Sequence, residues 1–319
     1  MIIMIIERLK KKYEGCLLGA AIGDALGKQN EGLKRSDILD RGHITDYGKA
    51  PEGCPGEKLK EGQYTDDTEQ MLVLARSLIH CRGFDVQDFA KRIAQWGADA
   101  LKDETRRGLV GPSSSIATSR LISGVNWEQS GSETPSCGSA MRVAPIGLFY
   151  KCLDDVGSNA ARSSIPTHKN KASVAGAVAV AIGVRCAIDG MKCGDIIKQS
   201  FSRASKYDEV LAKKIELSFE LRNEEPDKVF AELGTSYLAS DTVPCAFYCF
   251  SRYFEDPEKA IIEAVNAGGD TDSIACITGA LCGAFHGIYA FPDRWIKGLE
   301  NKEVIEQVAK KIMELSWII

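Results

Sequence analysis

Histidine is scarce in this sequence, and closely spaced cysteine pairs are missing. Four of the 319 residues are histidine, and none of the eleven cysteines follows another at the C-x-x-C spacing of zinc and redox sites. The odd number of cysteines counts against a disulfide framework, so we expect most of them to be small buried hydrophobes in a reducing compartment. Glycine-rich phosphate motifs of the G-x-x-x-x-G-K-[ST] and G-x-G-x-x-G types are also missing. These absences count against zinc proteins, disulfide scaffolds and the common nucleotide-binding motifs.

The sequence also has no large excess of acidic or of basic residues, and no long apolar run. The chain has 40 basic and 44 acidic residues, a net charge of -4, without a dense basic stripe. We therefore expect no nucleic-acid partner. No apolar run reaches the roughly 18 residues of a membrane span, and the first lysines follow the apolar opening, the reverse of a secretory signal. We expect no membrane partner and a cytoplasmic location.

The two-residue alternation of exposed strands is hard to find anywhere in the sequence. Apolar residues instead recur at three- and four-residue spacing, which is typical of amphipathic helices. This spacing occurs in segments 71–78, 89–101, 174–188, 210–221, 260–265 and 304–315. The pattern predicts a mainly α protein without a parallel sheet, and we expect a single domain over residues 1–319. Three polar segments, 28–63, 108–137 and 154–171, are predicted to be long loops of the kind that carry function.

Glycines recur every four residues in two places, and each series would leave a helix face without side chains. A glycine inside a soluble helix costs up to about 1 kcal/mol relative to alanine, so a regular series needs a reason. We expect the reason to be close packing of helix backbones in a crowded centre. The two series are Gly15, Gly19, Gly23 and Gly27, and Gly279, Gly283 and Gly287.

Two short acidic stretches have the same pattern, in which hydroxyls and closely spaced carboxylates open an apolar helix. The first is YTDDTE, with Thr65, Asp66 and Asp67, and the second is DTDS, with Asp270 and Asp272. Helix capping is one interpretation, because these residue types are favoured at helix starts. A metal site is the other, because four converging carboxylates would repel unless a cation neutralised them. Oxygen ligands alone favour Mg²⁺ or Mn²⁺, and both interpretations stay open on spacing.

A third stretch, SCGSAMRVAP, predicts a helix that carries Arg142 and begins with small residues. Its backbone amides suit an anionic ligand such as a diphosphate, although an ordinary capped helix with a surface arginine explains the pattern equally well. Cys137 has no assignable partner as a nucleophile. His168 lies in a loop before a helix of small residues, and His286 is expected to be a satisfied core residue.

Taken together, these residues resemble the ADP-ribosylglycohydrolases, the family that includes the dinitrogenase reductase activating glycohydrolase. The resemblance spans roughly residues 12–295, and its most specific part is the pairing of TDD with GGDTD. It implies an all-α fold, a compact multi-helix bundle, and a centre of two divalent cations, Mg²⁺ or Mn²⁺. By position, the implied metal ligands are Thr65, Asp66, Asp67, Asp270, Asp272 and Ser273.

The resemblance also implies roles at the substrate side. Gly138, Ser139 and His168 match positions that line the ADP-ribose site, and Glu31 matches a glutamate on a gating loop. Asp270, Asp67 and Glu31 are the implied catalytic residues, whereas Asp24 is expected to be structural. The sequence departs from the family pattern at Gln29, Cys137 and Asn170, which we expect to lie on substrate-lining loops and to affect specificity.

The expected function is metal-dependent hydrolysis of the N- or O-glycosidic bond between ADP-ribose and a protein side chain or small acceptor. An ADP-ribosylated protein or an ADP-ribosyl small molecule is therefore the expected partner. A non-catalytic relative that binds ADP-ribose or is structural, as crystallin-like members are, is the alternative. A two-metal hydrolase of phosphoesters is a further one, and it would need groups to stabilise a phosphoryl transition state.

Overall fold

Helices occupy most of the part of the chain that can be described, residues 2–317, in a computed structural model of the protein. Within these residues there is no strand beyond two isolated bridges. The seventeen α-helices are α1 (Ile2–Gly27), α2 (Arg35–Arg41), α3 (Asp66–Cys81), α4 (Val86–Ala100), α5 (Pro112–Ile122), α6 (Trp127–Ser130), α7 (Ala144–Phe149), α8 (Leu153–Ser164), α9 (Lys171–Ile188), α10 (Cys193–Ala204), α11 (Glu209–Glu220), α12 (Pro226–Leu233), α13 (Ala239–Arg252), α14 (Pro257–Val265), α15 (Thr271–His286), α16 (Asp293–Gly298) and α17 (Lys302–Ser316). Four 3-10 turns span Pro55–Lys58, Arg106–Gly108, Leu221–Asn223 and Ile288–Ala290. The predicted all-α fold class is confirmed.

The predicted long loops are only partly correct. Segment 108–137 contains the helices α5 and α6, and most of segment 154–171 is the helix α8. The α8 sequence, LDDVGSNAARSS, buries a narrow face with Val156, Ala160 and Ala161, and serine and asparagine fill much of the rest. The stripe repeats at helical spacing, but its members are few and small and the segment is polar on average, so its composition favoured a loop. Segment 28–63 is mostly irregular, with the short helix α2.

The two glycine series face each other along α1 and α15, and this pairing accounts for the close backbone packing that the sequence pattern predicted. A Cβ atom on Gly19 would overlap the carbonyl oxygen of Gly279, and one on Gly279 would overlap that of Gly19. Gly15 meets Gly283 in the same way, so the helices run antiparallel with their backbones in direct contact. We call this contact the glycine seam. It leaves no room for any side chain between the two helices.

A single cluster of buried apolar side chains extends from Tyr13 in α1 to Ile312 in α17. The helix α9 runs through it, and nearly all of its side chains are buried. Among the described helices, α9 alone is long and apolar enough to cross a membrane. It was not identified as a candidate from the sequence. In the structure, 89% of this helix is buried inside the fold. A core helix of a globular protein passes the same test, so this is weak evidence for a membrane span.

The glycine seam makes a prediction about stability. Gly279→Ala should lower the free energy of unfolding by more than about 2 kcal/mol, because the new methyl group meets backbone atoms that cannot rotate away. Gly157→Ala in α8 is the matched control, since its Cβ would lie 3.9 Å from Val178 Cγ1. That control should be neutral or stabilising by up to about 1 kcal/mol. Urea unfolding measures both, and equal midpoints for the two variants would contradict the seam.

Candidate functional site

The two acidic stretches, some two hundred residues apart in sequence, meet at one cavity of about 500 Å³. The cavity lies where α3 and α15 begin, so both helices point their N-termini at it. Eight of the ten residues predicted for the site line it: Glu31, Asp66, Asp67, Gly138, His168, Asp270, Asp272 and Ser273. The other two predicted residues, Thr65 and Ser139, are buried behind the wall of the cavity.

The start of α3 is fixed by Asp24, which lies in the last turn of α1 and is fully buried. Its carboxylate accepts hydrogen bonds from the Thr65 N–H at 3.0 Å, the Thr68 N–H at 3.0 Å and the Thr68 hydroxyl at 2.6 Å. These bonds satisfy amides that a helix start leaves without partners. The geometry agrees with the structural role expected for Asp24.

The start of α15 is fixed by a tight turn at two glycines with left-handed backbone, Gly268 (φ 84°) and Gly269 (φ 71°). A Cβ on Gly269 would overlap the carbonyl oxygen of Thr235, so this position needs glycine twice over. The same carbonyl accepts the Asp270 N–H at 2.8 Å. On the other side, Gly27 at the end of the glycine seam lies against Asp272. A Cβ atom on Gly27 would lie only 2.5 Å from the Cα of Asp272.

Capping explains only part of the acidic pattern. Thr65 does cap α3, because its side chain accepts the Asp67 N–H. Asp270, at the cap position of α15, makes no such bond. Its Oδ2 instead accepts hydrogen bonds from the Thr242 hydroxyl at 2.9 Å and the Cys137 thiol at 3.0 Å. The side chain of Asp270 is therefore held for a purpose other than helix capping.

Asp66 and Asp67 are also held by side chains instead of by helix amides. Gln70 Nε2 donates to Asp66 Oδ2 at 2.8 Å, and the Ser273 hydroxyl donates to Asp67 Oδ2 at 2.8 Å. The second bond joins the two acidic stretches directly, because Ser273 belongs to α15 and Asp67 to α3. Each carboxylate keeps an oxygen that makes no side-chain hydrogen bond, within the residues that the structure describes.

Burial and mutual repulsion disfavour ionisation of these acids. Burial, followed by the charges of Asp270 and Asp66, raises the pKa of Glu31 to about 8. Burial and the nearby Asp24 raise the pKa of Asp66 to about 8 as well. The pKa values of Asp67 and Asp272 are raised well above their usual range, first by burial and then by neighbouring carboxylates. The carboxyl groups of the cavity therefore favour their protonated forms unless positive charge is brought close to them.

The donor chemistry of the cavity fits divalent cations. Glu31, Asp66, Asp67, Asp270 and Asp272 supply oxygen ligands, and no lysine or arginine is among the residues found to line the cavity. Mg²⁺ and Mn²⁺ prefer such oxygen ligands. Among the described side chains, however, no three His, Cys, Asp or Glu groups stand close enough together to hold an ion as they are placed.

On the other side of the cavity, Gly138 leaves room for His168. A Cβ on Gly138 would lie 2.7 Å from His168 Nε2, so only glycine permits the imidazole to stand there. Ser139 turns away from the cavity, and its hydroxyl hydrogen bonds with Ser164 and with the carbonyl of Ser173. Its position implies support of the wall instead of direct ligand contact.

The prediction of a helix that carries Arg142 is wrong, and so is the alternative of a surface arginine. Arg142 precedes α7, which begins at Ala144, and is fully buried. It hydrogen bonds to protein groups, among them Gln70 and Thr167, and is not among the residues that line the cavity. The small residues and Pro145 suggested a helix start two to three residues too early, and burial of an arginine leaves no sequence signal. Arg142 is therefore not available as the group that a phosphoesterase would need to stabilise a phosphoryl transition state.

Cys137 lines the cavity, whereas the other two departures from the family pattern do not. Gln29 donates to the carbonyls of Leu26 and Asp46, and Asn170 caps α9 by accepting the Ala172 N–H. Their segments do reach the cavity, through Glu31 and His168, but the side chains of Gln29 and Asn170 are held by the protein itself. Burial and Asp270 raise the pKa of the Cys137 thiol well above its usual value, which disfavours a nucleophilic thiolate.

His286 is the last residue of α15 and is half-buried, and its Nε2 hydrogen bonds with the carbonyl of Phe254. It therefore has the satisfied structural role that was expected.

Several cavity residues were missed individually, although most lie in segment 108–137, which was predicted to be functional. They include Ser113 and Ser114 at the start of α5, Thr134 and Ser136, and the half-exposed Tyr237 outside that segment. Serine and threonine are too common for one sequence to single them out. Their segment was identifiable only from its length and polarity.

Comparison with known proteins points to one family. The sequence profile of the ADP-ribosylglycohydrolases matches residues 6–317. An uncharacterized protein of Archaeoglobus fulgidus is 41% identical over 311 residues, which cover 96% of this chain and 97% of that protein. The ADP-ribosylhydrolase ARH3 of Homo sapiens is 29% identical, covering 97% of this chain and 95% of its own. A solved structure of an ADP-ribosylglycohydrolase-related protein complex superposes with a TM-score of 0.82 and 28% identity, covering 97% of this chain and 99% of its own.

The raised pKa values predict how stability changes with pH when divalent cations are removed. In EDTA, the melting temperature should fall as the pH rises from about 5 to about 8. The pKa values of Glu31 and Asp66 in the folded protein, both about 8, lie above the unfolded values. The folded protein therefore holds more protons in this window and loses stability as they leave. Thermal unfolding measured at several pH values tests this.

The double variant Asp66→Asn, Asp272→Asn is the control for that measurement. Its amides cannot ionise, so its melting temperature should change less over the same pH window. A wild-type melting temperature that stayed constant or rose with pH would contradict the repulsion described for this cavity, and so would an equal slope in the variant.

Proposed function

The chain belongs to the ADP-ribosylglycohydrolase family, and on that premise we propose that it hydrolyses the N- or O-glycosidic bond joining ADP-ribose to a protein side chain or small acceptor. The observation that carries the proposal is the meeting of the two acidic stretches at one cavity. That cavity, of about 500 Å³, also contains Glu31, Gly138 and His168. Its volume lies in the range of pockets that enclose small organic ligands.

We propose that two divalent cations, Mg²⁺ or Mn²⁺, bind at this cavity. The ligands would come from Asp66, Asp67, Asp270 and Asp272, together with the hydroxyl of Ser273. Thr65, the remaining predicted ligand, would join them only if its hydroxyl left the Asp67 N–H that it now accepts. Bound there, the cations would supply the positive charge that the carboxylates lack and would lower the pKa of a water molecule to be used as nucleophile. The protein would retain mutually repelling acids because this neutralisation restores their stability.

The chain's own side chains would orient the reactants and move protons. Asp270 is the first candidate for the base, since the Thr242 hydroxyl and the Cys137 thiol hold one oxygen and orient the other. Asp67 is the second candidate and is held by Ser273 in the same way. In hydrolysis, water oxygen bonds to the anomeric carbon of the ribose while the bond to the acceptor breaks, and the base takes the proton from water.

The departing group needs a proton, and Glu31, which lines the cavity, would give it. Burial is the first cause of its raised pKa. Burial would remain when cations neutralise the neighbouring carboxylates, so Glu31 would still favour its protonated form. The transition state would have oxocarbenium character.

The alternative is a non-catalytic relative that binds ADP-ribose without cleaving it. Such a protein would gain nothing from clustered acids whose ionisation is disfavoured, whereas a hydrolase gains a metal site from them. Turnover therefore separates the two possibilities, and ADP-ribose binding alone does not.

The test is a panel of ADP-ribosylated substrates, with arginine, serine and small-molecule acceptors, incubated with Mg²⁺, with Mn²⁺ or with EDTA. We expect cleavage of at least one linkage, and we expect EDTA to abolish it. Asp272→Asn should lower kcat/KM at least about a hundredfold, because loss of a ligand removes several kcal/mol of charge stabilisation. Calorimetric titration with Mn²⁺ should show weaker binding to the same variant.

Asp293→Asn is the matched control for that variant. Asp293 lies at the surface in an ion pair with Lys297 and is not among the residues that line the cavity. Its replacement should therefore leave kcat/KM within about twofold. Cleavage that survives both EDTA and Asp272→Asn would overturn the metal-dependent mechanism. Tight binding of ADP-ribose without cleavage of any substrate would favour the non-catalytic relative.

A further inference from the structure

Arg142 is a buried cation for which the proposed chemistry has no direct use. Its side chain is fully buried, and its guanidinium carbon lies 5.1 Å from the centre of the Phe89 ring. Among the described residues it forms no ion pair, and its Nε–H finds no hydrogen-bond partner. Burying an arginine without a carboxylate partner is costly. The remaining contacts of Arg142 therefore need an explanation.

One set of contacts leads from Arg142 to Asp66. Arg142 Nη1 donates to Gln70 Oε1 at 2.7 Å, and Gln70 Nε2 donates to Asp66 Oδ2 at 2.8 Å. An arginine can only donate, so the amide of Gln70 must turn its oxygen to Arg142 and its NH₂ to Asp66. The reversed amide would set the Gln70 NH₂ against the Arg142 guanidinium, two donors, and the Gln70 carbonyl against the Asp66 carboxylate, two acceptors.

A second set of contacts leads from Arg142 to His168. Arg142 Nη2 donates to Thr167 Oγ1 at 2.6 Å, and the same oxygen lies 2.8 Å from His168 Nδ1. Since arginine fills one acceptor position of the hydroxyl, the hydroxyl proton is available to His168 Nδ1. The only other acceptor for the Thr167 hydroxyl in the described chain is the Ser164 carbonyl, which is farther away at 3.4 Å. That carbonyl already accepts the backbone N–H of His168 at 2.8 Å.

We propose that Arg142 is a positioning residue that sets the direction of both hydrogen-bond chains, so that Asp66 receives a donor and His168 presents Nε2–H to the cavity. Because the guanidinium can only donate, it sets the donor and the acceptor of every hydrogen bond that follows it, through Gln70 to Asp66 and through Thr167 to His168. A lysine could not replace it, because a single ammonium lacks the planar fork that reaches Gln70 and Thr167 together.

The position of His168 gives this direction a consequence for the ligand. Nε2 is the ring nitrogen beside Gly138, and both residues line the cavity. Burial and the charge of Arg142 hold the pKa of His168 well below its usual value, so the ring is neutral and carries one proton. A neutral Nε2–H suits an acceptor oxygen of ADP-ribose, and this part of the inference rests on the proposed function.

The tautomer can be measured in the free protein by ¹⁵N NMR with labelled histidine. The signals of His168 are identified by their loss in His168→Gln. We expect a protonated Nε2 and an unprotonated Nδ1 in the wild type. Thr167→Val removes the hydroxyl and nearly keeps the shape, so it should shift the ring toward a mixture of tautomers. Thr167→Ser, which keeps the hydroxyl, should restore the wild-type signals.

Arg142→Lys tests the source of the direction and should also give mixed tautomers in a folded sample, as judged by circular dichroism. Because this variant can fail to fold, the wild type and Thr167→Val decide the matter on their own. A wild-type ring protonated at Nδ1 would overturn the proposal. So would unchanged signals in Thr167→Val, or in a folded Arg142→Lys.

Calorimetric titration with ADP-ribose itself tests the donor in the cavity. Thr167→Val should raise the Kd about three- to tenfold, the effect of one weakened hydrogen bond, while Thr167→Ser stays within about twofold. A changed tautomer with an unchanged Kd would overturn the role of Nε2–H toward the ligand. Failure of the proposed hydrolysis would show separately, in the substrate panel, and would leave the NMR result intact.

Discussion

The glycine seam between α1 and α15 is the contact on which the site depends. Its far end brings Gly27 against Asp272, and one turn earlier in α1 the carboxylate of Asp24 holds the start of α3. A single helix therefore sets the distance between the two acidic stretches. Larger side chains along the seam would separate the helices, and the cavity would widen with them. This explains why a centre that could have been filled with leucine is built from glycine.

The electrostatics of the cavity combine two opposing tendencies. Burial disfavours charge on the acids, yet α3 and α15 both begin at the cavity, and helix N-termini favour negative charge nearby. Hydrogen bonds from Gln70, Ser273 and Thr242 hold individual carboxylate oxygens. These contributions orient the acids without neutralising them. The acids are thus oriented by hydrogen bonds, while no lysine or arginine found to line the cavity neutralises them.

Much of this organisation was predictable because it leaves periodic or local signals. The helices and the glycine seam follow from spacing alone, and the acidic stretches follow from residue type. The resemblance to a family then related the two stretches to each other. Arg142 was misplaced because nothing local distinguishes a buried arginine from an exposed one. The roles of Gln70 and Thr167 depend on contacts between distant helices, which one sequence cannot reveal.

The glycine seam also has a consequence for how the protein is made. Thr271 binds the Gly27 carbonyl across 244 residues of sequence, so α1 leaves the ribosome long before its partner exists. Contacts of such high sequence separation form slowly and leave apolar surface exposed in the meantime. The first helix must wait for one of the last, and only then can the acids meet. Truncated or stalled chains would carry the TDD stretch without ever assembling the cavity, which ties the site to completion of the whole polypeptide.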